Sequence, residues 1–143
     1  MHIKAYRPSN VPEYYLKNVP KSENVIKAMP FSFSSIFAPL AGPSSTQQII
    51  QTLSDSDFVC ISLQSDNVNV NPSIIIRDAA TNWPFMNAPV PIVSIFGTGS
   101  LPYFLPVPWY FSNKTSIELT VTTTPAVLTG FTLTLSGIRL FRK

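Results

Sequence analysis

Cys60 is the only cysteine of this 143-residue chain, and His2 is its only histidine. A thiolate nucleophile needs a base within hydrogen-bond reach, and His2 stands at the extreme N-terminus. Cys60 lies in the apolar run "FVCISL" and reads as a small buried side chain. One cysteine excludes an intramolecular disulfide, and a structural zinc site lacks its ligands. The carboxylates are the next candidates. Asp55 and Asp57 of "SDSDF" fall on one side of an extended chain, the arrangement that metal or glycoside chemistry would use. In a turn they instead accept nearby backbone N–H groups, which is the expectation here. Asp55, Asp57 and Asp66 also offer oxygens to calcium, but without the loop pattern that calcium sites use. Trp83, Trp109 and their neighbours offer rings to a sugar face, to prolines at sheet corners, or to a subunit seam. "GTG" at Gly97–Gly99 is too short for a phosphate-binding loop and reads as a turn. "NKT" at Asn113–Thr115 matches a glycosylation sequon and reads as turn chemistry. Between residues 28 and 138 there are four Asp, one Glu and no His. An acid/base enzyme needs poised titratable groups in mutual reach, so neither catalysis nor a cofactor or metal is expected.

Composition agrees. Charged residues are 12% of the chain and hydrophobic ones 45%. Few charges with many hydroxyls suit a β-protein whose surface is partly covered by neighbours, and argue against a disordered chain. The net charge of +3 is unevenly distributed. Lys4, Arg7, Lys17, Lys21 and Lys27 outnumber Glu13 and Glu23, and Arg139, Arg142 and Lys143 close the chain. Both ends are basic and the body is mildly acidic. A basic arm docks on an acidic neighbour or on nucleic acid, or is simply solvated. The cations form no run, so direct nucleic-acid binding is not expected. No apolar run is long enough to span a membrane. The first residues lack the apolar core of a signal peptide, so the protein is expected to act without export.

These residues need elements to position them. Residues 1–43 carry six of the fourteen prolines: Pro8, Pro12, Pro20, Pro30, Pro39 and Pro43. Proline fixes φ and removes a donor, so this zone is expected to form an extended arm without long regular elements. "SENVIKAM", Ser22–Met29, allows one or two helical turns capped by Ser22. The zone is also rich in rings: Tyr6, Tyr14, Tyr15, Phe31, Phe33 and Phe37. Rings on a proline-stiffened arm suit contact with a partner surface or with the chain's own domain.

From residue 44 to 143 the pattern is β. Strands are expected over 45–53, 57–65, 73–78, 90–96, 116–123 and 131–141. In the second, Val59, Ile61 and Leu63 share one face and Phe58, Cys60 and Ser62 the other. In the last, Phe131, Leu133 and Leu135 alternate, then Ile138 and Leu140 fall out of phase, which places a bulge or a bend at Gly137. "LPYFLPVPWYF", Leu101–Phe111, suits a sheet edge or corner, where Trp109, Tyr110 and Phe111 cover the sheet end or a neighbour. Eight or so short strands predict an all-β antiparallel sandwich, with the jelly roll as first choice.

The ordered series "SDSDF", "IIIRD", "FGTGSLPYFLPVP", "TSIELTVT" and "TLSGIRLF" resembles small virion proteins of tailed bacteriophages. The resemblance covers Thr46–Phe141 and leaves the arm uncovered. It implies a structural, non-catalytic jelly-roll protein of the capsid decoration (cement) type, made in the host cytoplasm and carried in the virion. The partner it implies is the major capsid protein or another virion protein. The protein is then a homotrimer or another closed homo-oligomer. A neck, tail or fibre component is the alternative within that family, and a carbohydrate-binding β-module the alternative outside it. The contact residues expected are Tyr6, Tyr14, Tyr15, Phe31, Phe33, Phe37, Tyr103, Trp109 and Tyr110.

Overall fold

A computed structural model describes residues 13–16, 19–21, 24–39, 45–66, 72–123 and 130–142. Nine strands follow a helical turn, α1 (Glu13–Leu16): β1 (Val25–Phe37), β2 (Ser45–Gln51), β3 (Asp57–Asp66), β4 (Ser73–Asp78), β5 (Trp83–Pro84), β6 (Val90–Pro91), β7 (Tyr103–Phe111), β8 (Ser116–Thr122) and β9 (Phe131–Arg142). A second helical turn, α2 (Ile92–Ile95), follows β6 directly. One sheet has the order β1-β9-β3-β7, the other β2-β8-β4-β5 with β6 also on β4. The pairings are nested. The first strand meets the last, the second meets the eighth, the third meets the seventh, and the fourth meets the short middle strands. One long hairpin rolled into two antiparallel sheets is a jelly roll.

The inner faces of the two sheets make the main core. Phe58, Cys60, Leu63, Phe131, Leu133 and Leu135 of the first sheet meet Ile50, Ile74, Ile76, Ile117, Leu119 and Val121 of the second. The expected alternation of the first part of β9 is therefore observed, and β8 alternates in the same way. Burying such side chains contributes about 1.5–3 kcal/mol each.

The structure moves the start of the sandwich from residue 44 to Val25. Residues 25–37, expected in an irregular arm, form the longest strand, paired with β9 from Val25↔Arg142 to Phe37↔Phe131. Proline is tolerated there because β1 is an edge, and a sheet edge has free positions that need no donor. The helical turns expected over Ser22–Met29 give way to this strand from Val25; Ser22 itself lies outside the described residues. Phe37 stacks on Phe131 at 4.9 Å and is 1% exposed. Phe33 meets Phe58 edge-on at 4.8 Å.

The outer face of the first sheet carries a second, smaller core. Leu16 and Val19 cover Val25, Val59 and Leu140, with Ala28, Ile61, Tyr110 and Ile138 packed around them. This explains Ile138 and Leu140. The register of β9 against β1 shows no slip from Phe131 to Leu140. The outer face of β9 simply turns apolar where α1 and Val19 lie over it.

A bulge does occur at the level of Gly137, on the facing strand. Cys60 pairs Gly137 and Ser62 pairs Ser136, so Ile61 is the extra residue. Phase changes there, and Leu63 joins Phe58 and Cys60 in the main core instead of Val59 and Ile61. A Cβ on Gly137 would lie 1.8 Å from the carbonyl oxygen of Val59 and 3.1 Å from Cα of Cys60. These are backbone atoms of a buried strand, so β3 would have to shift. Overpacking of this kind costs typically 1–3 kcal/mol. Gly137→Ala is expected at the upper end, about 3 kcal/mol, read as a lower urea midpoint at unchanged slope. An unchanged midpoint would show that the strand pair is not this close.

Residues 90–96, expected as one strand, divide into β6 and α2. The amide of Phe96 donates to the carbonyl of Ile92 at 2.8 Å, and both side chains are buried while Val93 is exposed. A short continuous apolar run does not distinguish strand from helical turn.

Candidate functional site

Beside β7 the protein is apolar and concave. Pairing with β3 runs from Phe58↔Phe111 to Cys60↔Trp109, then resumes at Ser62↔Phe104. Ile61 alone thus faces four residues of β7, Leu105–Pro108, and Pro106 and Pro108 lie in this arch. Proline and bulges are how natural sheets blunt an edge, and β7 is the end of its sheet. The connection from β5 to α2 lies alongside. Phe85 stacks on Trp109 at 4.5 Å and meets Phe111 edge-on at 5.4 Å. The sulfur of Met86 accepts the amide of Ile76 at 3.1 Å, which ties this connection to β4.

Between arch and connection lies a groove of about 310 Å³, lined by Phe85, Met86, Ile95, Tyr103, Val107 and Trp109 among others. Trp83 and Pro84 border a second cleft that shares the Phe85–Met86 wall. Val107 and Tyr103 in the groove are 52% and 38% exposed, and Trp83 in the second cleft is 68% exposed. Exposed apolar side chains gathered at one place, rather than scattered, mark a contact surface.

The "GTG" stretch lies in the turn between α2 and β7, as expected. The amide of Gly97 donates to Leu63, and Gly97 accepts from the amide of Ser65. A Cβ on Gly97 would lie 2.1 Å from the carbonyl oxygen of Leu101, so glycine is required for this approach.

The expected contact residues separate. Tyr103 and Trp109 line the groove, Trp109 half-buried. Tyr110 points to the outer cluster, where its hydroxyl donates to Asp57 at 2.9 Å. Phe37 and Phe33 belong to the main core, which removes Phe37 from any contact surface. Phe31 is half-buried, edge-on to Phe33 and under the guanidinium of Arg139 at 4.9 Å. Tyr15 is half-buried on α1. Tyr6 and the side chain of Tyr14 lie outside the described residues. No sequence pattern marks Phe85, Met86, Ile95 and Val107 as site residues. They lie in three separate segments, and only the pairing of β7 with β3 and the packing of Phe85 bring them together.

The carboxylates do structural work. Asp57 accepts from Tyr110, from the amide of Asn113 at 2.9 Å and from Nε of Arg142. Asp55 pairs with Arg139 at 3.1 Å and accepts from Ser56. Among the described residues no group of His, Cys, Asp and Glu is arranged to hold a metal ion. Cys60 is fully buried, and burial pushes its thiol far above the usual range, so it has no thiolate to offer near neutral pH. No helix among the described residues is long and apolar enough to cross a membrane.

Comparison with protein-family models, curated proteins and solved structures found no match. The groove and its rim therefore carry the functional reading on their own chemistry.

Proposed function

We propose that this protein is a structural subunit of a virion, a capsid decoration protein of the tailed-phage type. In this reading the β7 groove and its apolar rim bind the major capsid protein. The observation that carries it is the exposure of Tyr103 and Val107 in an apolar groove, with Trp83 exposed in the cleft that shares its wall. Viral coat proteins are among the users of the jelly roll, but fold alone does not set function. The surface chemistry adds to it, because a groove lined by rings and aliphatic side chains fits apolar side chains of a protein partner better than a charged metabolite. A sugar-binding reading has one feature in its favour, the exposed Trp83 ring beside Asn87 at the second cleft.

The test is rebinding of purified protein to undecorated phage heads. A buried anchor of this kind contributes about 1–2 kcal/mol or more. Tyr103→Ser with Val107→Ser is therefore expected to weaken binding by about a hundredfold while the unfolding transition stays in place. Wild-type protein that neither co-purifies with particles nor rebinds them defeats the reading. Binding to a glycan surface that Trp83→Ala abolishes would favour the sugar-binding alternative.

A further inference from the structure

We infer that the second half of β1 is the seam of a two-fold homodimer, in which two copies of Phe31–Phe37 pair antiparallel and join two four-stranded sheets into one of eight. β1 ends its sheet, and among the described residues it pairs only with β9. An edge strand presents a row of unpaired N–H and C=O groups, which native proteins guard with charges, prolines or bulges. The guards on β1 all lie in its first half. They are the irregularity between Val25 and Lys27, the charge of Lys27, and Pro30. From Phe31 to Phe37 there is no charge, no proline and no break in register.

The phase of the free groups follows from Pro30. Alternate residues of an edge strand direct both backbone groups outward. Proline keeps the ladder intact only where its missing donor would face out. Register is unbroken from Lys27 to Phe37, so Ser32, Ser34 and Ile36 share the phase of Pro30 and present their N–H and C=O outward. An antiparallel partner with Ser34 at the two-fold axis satisfies all three. Ser34 meets Ser34 of the second copy, and Ser32 meets Ile36 of the second copy. Pro30 falls just beyond the paired stretch.

The partner is a second copy because this segment complements itself. With no charge between Phe31 and Phe37, self-pairing brings no like charges together, and the two Lys27 side chains lie at opposite ends. Ile36, 74% exposed on the outer face, gains a cross-strand neighbour. A closed two-fold seam also uses up the edge, so pairing stops at two.

The inference is independent of the virion reading, and its test needs no particle. Sedimentation of the full-length protein is expected to give twice the chain mass at high micromolar concentration. Ser34 is exposed, so Ser34→Lys is expected to leave the fold intact and return the protein to monomer, because it sets two like charges opposite each other. Ser34→Cys is expected to give a disulfide-linked dimer on mild oxidation, since directly opposed Cα atoms lie about 5.5 Å apart and within disulfide reach. The buried Cys60 does not compete. A monomer at all concentrations, or a dimer that survives Ser34→Lys as one built on the free edge of β2 would, overturns the inference.

Discussion

A chain lacking residues 1–43 is expected not to fold. The deletion removes β1 whole, and with it Phe33 and Phe37 from the main core and Leu16, Val19 and Val25 from the outer one. At about 1.5–3 kcal/mol for each buried side chain, these five contribute on the order of 10 kcal/mol. The net stability of a domain is about 5–15 kcal/mol. The deletion also uncovers β9, whose residues from Phe131 to Arg142 pair with β1 on that side. The expected result is loss of the cooperative thermal transition and of the near-ultraviolet circular dichroism of the packed aromatics. A shorter deletion, of residues 1–24, takes Leu16 and Val19 from the outer cluster and the Lys21 carbonyl from Arg142. It leaves both sheets and is expected to lower the melting temperature while keeping a single transition. If the longer deletion melts like the full chain, β1 is dispensable and the sandwich starts where the prolines end.

That boundary shows where sequence patterns stop being legible. Strands β3, β4, β8 and β9 stand out because alternation is local and each repeats it over several residues. Strand β1 does not, because Pro20, Pro30 and Pro39 argue against regular structure at any interior position. Only the neighbours decide whether a strand is interior, and the partner of β1 lies at the far end of the chain. Gly137 signals an irregularity correctly, but the extra residue sits on β3, where "VCISL" gives no hint of it. Its consequence, Leu63 facing the main core, is equally hidden. Ile138 and Leu140 look like a change of phase. They record a cover supplied by Leu16 and Val19, which no window around β9 contains. The groove is half legible. The prolines and rings of 101–111 mark an edge, and Trp109 and Tyr103 do line it. Its other wall, Phe85 and Met86, lies in a stretch that reads as an ordinary loop.

Asp57→Ala is expected to cost about 3 kcal/mol. The Asp57 carboxylate is 4% exposed and binds three parts of the fold at once. It accepts from Tyr110 on β7, from the amide of Asn113 in the β7–β8 turn and from Arg142 at the end of β9. Arg142 passes the link on, donating to the carbonyl of Lys21 at 2.8 Å beside the outer cluster. Removing the carboxylate leaves one backbone donor and two side chains without their acceptor, and a donor left unpaired costs more than the bond was worth. Arg142 is a quarter exposed and regains some water, which keeps the expected loss near the lower end for a broken buried pair. Asp57→Asn keeps an acceptor but gives up the charge, and is expected to fall between Asp57→Ala and the parent. Because the partners act together, Asp57→Ala combined with Arg142→Ala is expected to cost less than the two single changes summed. Tyr110 supplies a readout that packing alone would not move. Its pKa is raised first by burial, then by the hydrogen bond and charge of Asp57, with Arg142 opposing. A group raised on folding contributes stability below its unfolded pKa and loses it as pH climbs through the folded one. The parent is therefore expected to lose stability on the alkaline side as Tyr110 ionises against Asp57. In Asp57→Ala the influence of burial stays and those of the carboxylate vanish, so Tyr110 is expected to ionise at lower pH. Ultraviolet titration of tyrosinate, by difference with Tyr110→Phe, measures this shift. If that ionisation stays in place and the urea midpoint is unmoved, Asp57 does not tie the chain's end to β3.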